Sequence, residues 1–366
     1  MTMTTHTPSN PTPISNAIVW ARRNLFSNVT NSVLTLVCLW LLWTLIPPLL
    51  NWAIFKANWV GSTRADCTSD GACWVFVHAR FEQFMYGLYP REELWRINFA
   101  LVLALISILP MFWRNLPRRG RYIAIWCVVY PLLAWWLLFG GFGGLSRVET
   151  RQWGGLTLTI IIAAIGIAGA LPLGILLALG RRSNMPVPVL RALCVIFIEF
   201  WRGVPLITVL FMSSVMLPLF LTEGTNIDKL LRALVGVILF QSAYVAEVVR
   251  GGLQALPKGQ YEAAQSLALG YWRMQGLVIL PQALKMVIPG LVNTIIALFK
   301  DTSLVIIIGL FDLFSSIQQA TVDPAWLGMS TEGYVFAAII YWIFCFSMSR
   351  YSQHLEKRFD TGHKSH

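Results

Sequence analysis

Long apolar runs separated by short polar connections set the pattern of this chain. About eight such runs stand out, at roughly 31–55, 97–113, 122–144, 155–180, 190–221, 231–250, 285–316 and 332–350. Most are long enough for a helix to cross roughly 30 Å of hydrocarbon. The pattern therefore predicts an all-α integral membrane protein with about eight transmembrane helices. One stretch departs from it. Residues 257–281 read PKGQYEAAQSLALGYWRMQGLVILP, polar at the start, small in the middle and apolar at the end.

Composition agrees with a bilayer. The 366 residues are 56% hydrophobic and 12% charged, against about 25% charged in soluble domains. The net charge of +11 then reads as cytoplasmic Lys and Arg rather than as a nucleic-acid signal, so no nucleic-acid partner is expected. With the N-terminus inside, 17 basic residues fall in cytoplasmic segments and 9 outside, five of those nine in the long loop 56–96. The connection RNLPRRGR is the clearest inside marker. Both termini are thus expected in the cytoplasm. Trp and Tyr gather near span ends, in WLLW, MFW, AWWLL and YW, as an interfacial aromatic belt does. His6, His78, His354, His363 and His366 show no metal-ligand spacing, and no metal site is expected.

The organisation follows from where polar groups fall. Residues 1–30 open with a Thr/Ser/Pro-rich stretch and read as a disordered cytoplasmic N-terminus without a cleavable signal. Residues 31–150 form a three-span extension poor in intramembrane charge, with an extracytoplasmic loop at 56–96. In that loop Cys67 and Cys73 are placed for a disulfide, the alternative being two free thiols. Cys38, Cys127, Cys194 and Cys345 lie in apolar runs as small hydrophobes. Residues 151–350 form a five-span core that holds four intramembrane acids, Glu199, Glu247, Asp301 and Asp312. Residues 351–366 read as a cytoplasmic tail.

The departing stretch predicts a short docking helix. QYEAAQSLAL, read as a helix, lines up Tyr261, Ala264, Leu267 and Ala268 on one face. Glu262 falls in the first turn, where the helix dipole favours a carboxylate, and Gly270 is the expected C-terminal cap. Pro257 and Pro281 bracket the insert and are expected to bend the chain in and out of it. At about ten residues it is too short to span a bilayer. An amphipathic connector lying on the headgroups is the plain alternative.

These residues carry a resemblance. Glu262-Ala263-Ala264, Ala268, Val278 and Leu280-Pro281 resemble the EAA loop of the permease subunits of ABC importers, although that family usually has Gly at the position of Ala268. EFWRGVPLITVLF at 199–211 resembles the E-F-x-R-G-x-P-L segment of polar amino-acid importer permeases, and FKDTSLVIIIGLFDL at 299–313 their K-D-T-S-L segment. AYVAEVVRGGLQALPKGQYEAA at 243–264 matches their run into the loop. With three spans in front, the layout resembles the longer permeases of general or neutral L-amino-acid importers. The resemblance implies a type I importer core whose coupling loop, 251–284, engages a separate ATPase through Gly259, Tyr261, Glu262, Ala263, Ala264, Ala268, Gly270, Leu280 and Pro281. It also implies an extracytoplasmic substrate-binding protein and a second, homologous permease, a heterodimer being favoured. ATP and Mg would be held by the partner ATPase and no cofactor by this chain, which lacks a G-x-x-x-x-G-K-[ST] loop.

Charge and helix breaks mark a candidate pathway. Glu199 and Arg202 are three apart and can pair across one helix face, and Pro205 then interrupts the helix next to Gly203. Lys300, Asp301, Thr302 and Ser303 interrupt an apolar run. An L-amino-acid substrate needs a cation or hydroxyl donors for its carboxylate and an anion for its ammonium. Arg202, Thr302 and Ser303 are candidates for the first role; Glu199, Glu247 and Asp301 for the second. Gln241, Tyr244 and Asn293 are weaker candidates, since a lone amide in a membrane helix commonly joins helices. The alternative is that Glu199–Arg202 and Lys300–Asp301 are internal pairs that fix packing. Among functions, a stand-alone secondary transporter would not need the insert, an intramembrane enzyme would need a catalytic cluster that no span carries, and a gated channel would explain none of the motifs.

Overall fold

The computed structural model describes residues 13–112, 119–182, 188–220, 222 and 227–359. Most of RNLPRRGR, the first twelve residues and the tail from 360 lie outside the described residues. The chain forms two compact units, Met1–Phe76 and Val77–His366.

The first unit opens with α1, Pro13–Asn24, inside the stretch expected to be disordered. Its last turn carries Arg22 and Arg23, where the helix dipole favours cations. In α2, Val29–Leu50, the Asn28 side chain caps the start by accepting from the Asn31 N–H. The helix runs on through Pro47 and Pro48 into a π-helical turn, Asn51–Phe55. None of its side chains is buried. Beyond it, Cys67 and Cys73 are joined by a disulfide, with their Cα atoms 5.7 Å apart. Trp74 lies between Trp52 and Trp59, with ring centroids 6.3 and 5.8 Å away. The Asp66 carboxylate accepts from the Ser62 and Thr63 N–H groups, and these bonds hold its pKa below the usual range.

The unit boundary falls within α3, Trp74–Ala79. The second unit continues through α4 (Phe81–Tyr86), α5 (Leu94–Ile108), α6 (Arg119–Phe139), α7 (Gly155–Arg182), α8 (Pro188–Gly203) and α9 (Leu206–Phe211). Then follow α10 (Lys229–Ala255), α11 (Lys258–Ser266), α12 (Tyr271–Met274), α13 (Leu280–Met286), α14 (Ile288–Asp301), α15 (Leu313–Thr321) and α16 (Ser330–Phe359). The loop expected at 56–96 thus contains short helices.

Six described helices are long and apolar enough to span a membrane, and the bent pair α8–α9 makes up to seven. The expected eighth, over 97–113, is α5, whose 15 residues end in a 3-10 turn at Leu109–Phe112. The run expected as one span over 190–221 bends by 101° at its break, where Pro205 cannot extend α8. The run over 285–316 ends as a span at Ile308, because Gly309 turns into the left-handed region at φ 69°. The last helix continues past 350 to Phe359, with Lys357 and Arg358 in its final turn.

The core forms around α7 and α10. Gly174 permits their close approach: a Cβ added there would lie 2.6 Å from Val245 Cγ1. Gln241, buried on α10, donates to the Thr294 carbonyl on α14 at 2.9 Å. At the end of α7 remote from the insert, here the distal end, three chain segments meet through isolated bridges: Gly87 with Trp153, Gly154 with Phe311, and Gly155 with Asp312. Only Gly fits at residue 87, where an added Cβ would fall 2.3 Å from the Gly154 Cα. Further ties hold the 77–154 segment to the core there. Arg80 pairs with Asp323 and Thr157 Oγ1 donates to the Met85 carbonyl at 2.9 Å, while within the segment Tyr89 donates to the Leu138 carbonyl at 2.8 Å. Asp312 is fully buried, accepting from Ser315 and from the Tyr341 hydroxyl, so it caps α15 rather than meeting solvent.

Candidate functional site

The insert is held to two spans by one side chain. Arg182, in the last turn of α7, donates to the Leu253 carbonyl of α10 and, at 2.6 Å, to the Tyr261 hydroxyl of α11. Its guanidinium carbon lies 4.8 Å from the Tyr261 ring centroid, and Tyr261 itself donates to the Leu253 carbonyl at 3.1 Å. Burial raises the Tyr261 phenol pKa, with Arg182 pulling the other way. Ala264 is buried beside it in a cluster with Leu253, Leu256, Met274, Ile279 and Ala283. Gly259, Glu262 and Ala263 are exposed on the opposite face.

Three details of the insert differ from expectation. The helix ends at Ser266, so Leu267 is 73% exposed and Ala268 is exposed as well, and neither joins the Tyr261–Ala264 face. Ala268, not Gly270, makes the C-terminal turn. It adopts φ 53° while its N–H reaches the Gln265 carbonyl and the Leu269 N–H the Ala264 carbonyl, the two bonds of a Schellman motif. Gly270 is extended and precedes α12. Pro281 does not bend the chain outward. A π-helical turn, Gln275–Ile279, joins α12 to α13, and Pro281 sits in the first turn of α13 after Leu280. The wider turn relieves the clash a proline ring makes with the carbonyl four residues back.

Close by, arginines converge on two carboxylates. Arg181 lies 2.9 Å from Glu199 and 3.3 Å from Glu247, Arg202 lies 3.8 Å from Glu247, and Arg250 also pairs with Glu247. The expected Glu199–Arg202 pair is therefore replaced by pairs that cross from α8 to α7 and α10. The reason is tertiary: the two arginines of α7 and α10 bring their charges between helices, and Arg202 turns over Tyr244, 5.9 Å from its ring centroid. Three guanidiniums against two carboxylates leave an excess of positive charge beside the 101° bend at Gly203–Pro205.

The Lys300 group stands elsewhere. Helices α10 and α14 run antiparallel, with Gly290 beside Val248 and Thr294 bonded to Gln241. Lys300 is thus roughly 14–18 Å from the Glu247 level along the bundle. Lys300 is exposed, and no ion pair closes with Asp301 among the described residues. The Thr302 hydroxyl, buried, donates to the Phe299 carbonyl at 2.8 Å and Ser303 to the Lys300 carbonyl at 2.9 Å. Those two donors serve their own helix. Asn293 is exposed, while Gln241 is engaged between helices. Sequence reasoning missed Arg181 and Arg182 as members of the candidate site. Their signal was a pair of arginines ending a long apolar run, which it read only as an orientation marker.

The model of the family described as binding-protein-dependent transport system inner membrane component matches residues 170–361. The chain belongs to this family. It is 80% identical over 352 residues to the inner membrane amino-acid ABC transporter permease protein YhdY of Escherichia coli K12, covering 96% of this chain and 95% of that one. It is 39% identical to the glutamate/glutamine/aspartate/asparagine transport system permease protein BztC of Rhodobacter capsulatus, covering 97% and 96%. The glutamate/aspartate import permease protein GltK of Escherichia coli O6:H1 is 31% identical over 209 residues, 56% of this chain but 91% of GltK. This family member is thus an all-α permease component of an ABC transporter in the inner membrane, and its front extension has a counterpart in BztC but not in the shorter GltK.

Proposed function

We propose that this permease imports L-amino acids as one half of a two-permease pore, driven by a separate ATPase that docks on the exposed face of α11. The observation that carries the coupling is the Arg182–Tyr261–Leu253 junction, which ties α11 to the ends of both α7 and α10. A push on Gly259, Glu262 and Ala263 is delivered there to the two best-packed spans. The arginine–glutamate cluster passes it to α8 and its bend at Pro205. Closure of the ATPase on ATP and Mg, which this chain does not hold, then switches the pore outward, and hydrolysis resets it. Both termini and the insert lie in the cytoplasm, and the distal end faces the substrate-binding protein. The partner permease is a homologue rather than a second copy. Of the pathway candidates, Arg202 is the best placed for a substrate carboxylate, because its ion pair with Glu247, at 3.8 Å, is long and it sits at the helix break.

The test is affinity capture of the tagged chain from solubilised membranes, with mass spectrometry of what accompanies it. The expected result is an ATPase and a second permease with the wild type, and loss of the ATPase alone with Glu262→Lys. A chain that emerges alone would overturn the reading and favour a secondary transporter.

A further inference from the structure

Two adjoining cavities at the distal end differ in chemistry. The first, of about 360 Å³, lies between α5, α6 and α7 and is lined by side chains such as Ile97, Ala100, Trp126, Ala134, Ala164 and Ile165. Its polar groups are largely engaged. Tyr130 donates to the Ala100 carbonyl, the Trp126 indole to Ser107, and Thr157 to the Met85 carbonyl. A cavity of this kind offers water few partners and stays dry, and it cannot serve a zwitterionic amino acid. Two of the helices around it, α6 and α7, are long and apolar enough to span the membrane, so a hydrocarbon chain suits it.

The second cavity, of about 490 Å³, shares Trp135 with the first and is lined by Arg147, Arg151, Lys229 and Arg232 against Glu149 and Asp228. Arg151 is taken by Glu149 and Asp228 by Thr150. Arg232 donates one nitrogen to the Ser214 carbonyl, but its buried Nε has no hydrogen-bond partner. Arg147 rests on the Phe139 ring, 5.1 Å from its centroid, and Lys229 opens α10, whose dipole adds positive potential. Trp153, which lines the apolar groove and packs on Trp135 at 5.4 Å, has a buried indole N–H without a partner.

We propose that this pair of cavities is a binding site for one anionic phospholipid, its phosphate among Arg147, Lys229 and Arg232 and an acyl chain in the groove between α6 and α7. The lipid would join the front extension, through α6, to the core helices α7 and α10.

The test uses the assembled transporter, purified, stripped of lipid and given back phosphatidylglycerol or phosphatidylcholine, with retained lipid counted by native mass spectrometry. Phosphatidylglycerol is expected to be retained about tenfold over phosphatidylcholine. The double variant Arg147→Gln/Lys229→Gln should lose that preference, and Ala164→Phe, which fills the groove, should lose both lipids. Val128→Phe on the exposed face of α6 should behave as wild type and controls for insertion. In the unaltered protein, a phospholipid with a photoreactive acyl chain should label α6 and α7 at groove positions above the level at Val128. Equal retention by all variants, labelling no greater than at Val128, or displacement of the lipid by millimolar inorganic phosphate without regard to Ala164→Phe would overturn the proposal, the last by showing an anion site only.

Discussion

Two membrane-length helices, α2 and α10, solve different problems. α2 is the more apolar of the two, yet none of its residues is buried. α10 carries Lys229, Arg232, Gln241, Glu247 and Arg250, yet fourteen of its 27 residues are buried. Hydropathy alone therefore points the wrong way for finding the working core. Lipid tolerates a uniformly apolar helix on all sides, whereas a helix that must meet protein can hold polar groups, provided neighbouring helices satisfy them. The helix with more polar residues is the one through which the insert, the charge cluster and the α7 contact all connect.

The sharpest way to break this comparison is to enlarge one small residue on each side of it. Gly174→Leu drives a side chain into Val245 of α10 and should cost about 3 kcal/mol, the upper part of the usual range for overpacking. Thr44→Leu, on exposed α2, should cost well under about 0.5 kcal/mol. Thermal unfolding of the purified proteins in detergent, followed by loss of monodispersity, distinguishes them; equal melting points would show that α7–α10 packing is not dominant. A smaller effect tests the link from α10 to the insert. Tyr261→Phe removes the hydroxyl that Arg182 and Leu253 share, worth about 1–2 kcal/mol. Uptake by the reconstituted transporter should fall about tenfold while ATPase activity persists, a split that a folding defect would not give.

Smaller still is the gain from relieving the left-handed Ala268. Ala268→Gly should stabilise the insert by about 1 kcal/mol, seen as slower hydrogen exchange across residues 258–269. The smallest effect concerns the extension. A hydrogen bond from Ser146, and next the charge of Arg96, hold the Glu93 carboxyl below its ordinary range. Because the folded pKa is the lower one, the stabilisation is complete above the unfolded glutamate value of about 4.3 and is lost as pH falls from there through the folded value. Hydrogen exchange at residues 93–97 should rise there in wild type and rise less in Glu93→Gln.

Much of the candidate site was legible one residue at a time and little of it as pairs. Glu262 and Tyr261 could be read from the short amphipathic insert, and the break at Pro205 from the missing N–H of proline. The partners could not. A three-residue spacing suggested Glu199 with Arg202, but helix packing gives Glu199 to Arg181 and Arg202 to Glu247. Spacing describes only one helix, while an ion pair forms with whichever charge lies nearest in space.

Sequence by itself determined that the chain is helical and membrane-spanning, because apolar run length against bilayer thickness leaves few alternatives. It also marked residues 257–281 as a short helical insert, because a polar, Ala-rich segment stands apart from the apolar runs on either side. Only the tertiary structure decided that Ala268 rather than Gly270 turns the chain, that Thr302 and Ser303 spend their hydroxyls on their own helix, and that Arg182 joins three helices at one point. Each of those outcomes depends on which groups are left without a partner once the helices have packed, and that is settled across the bundle rather than along the chain.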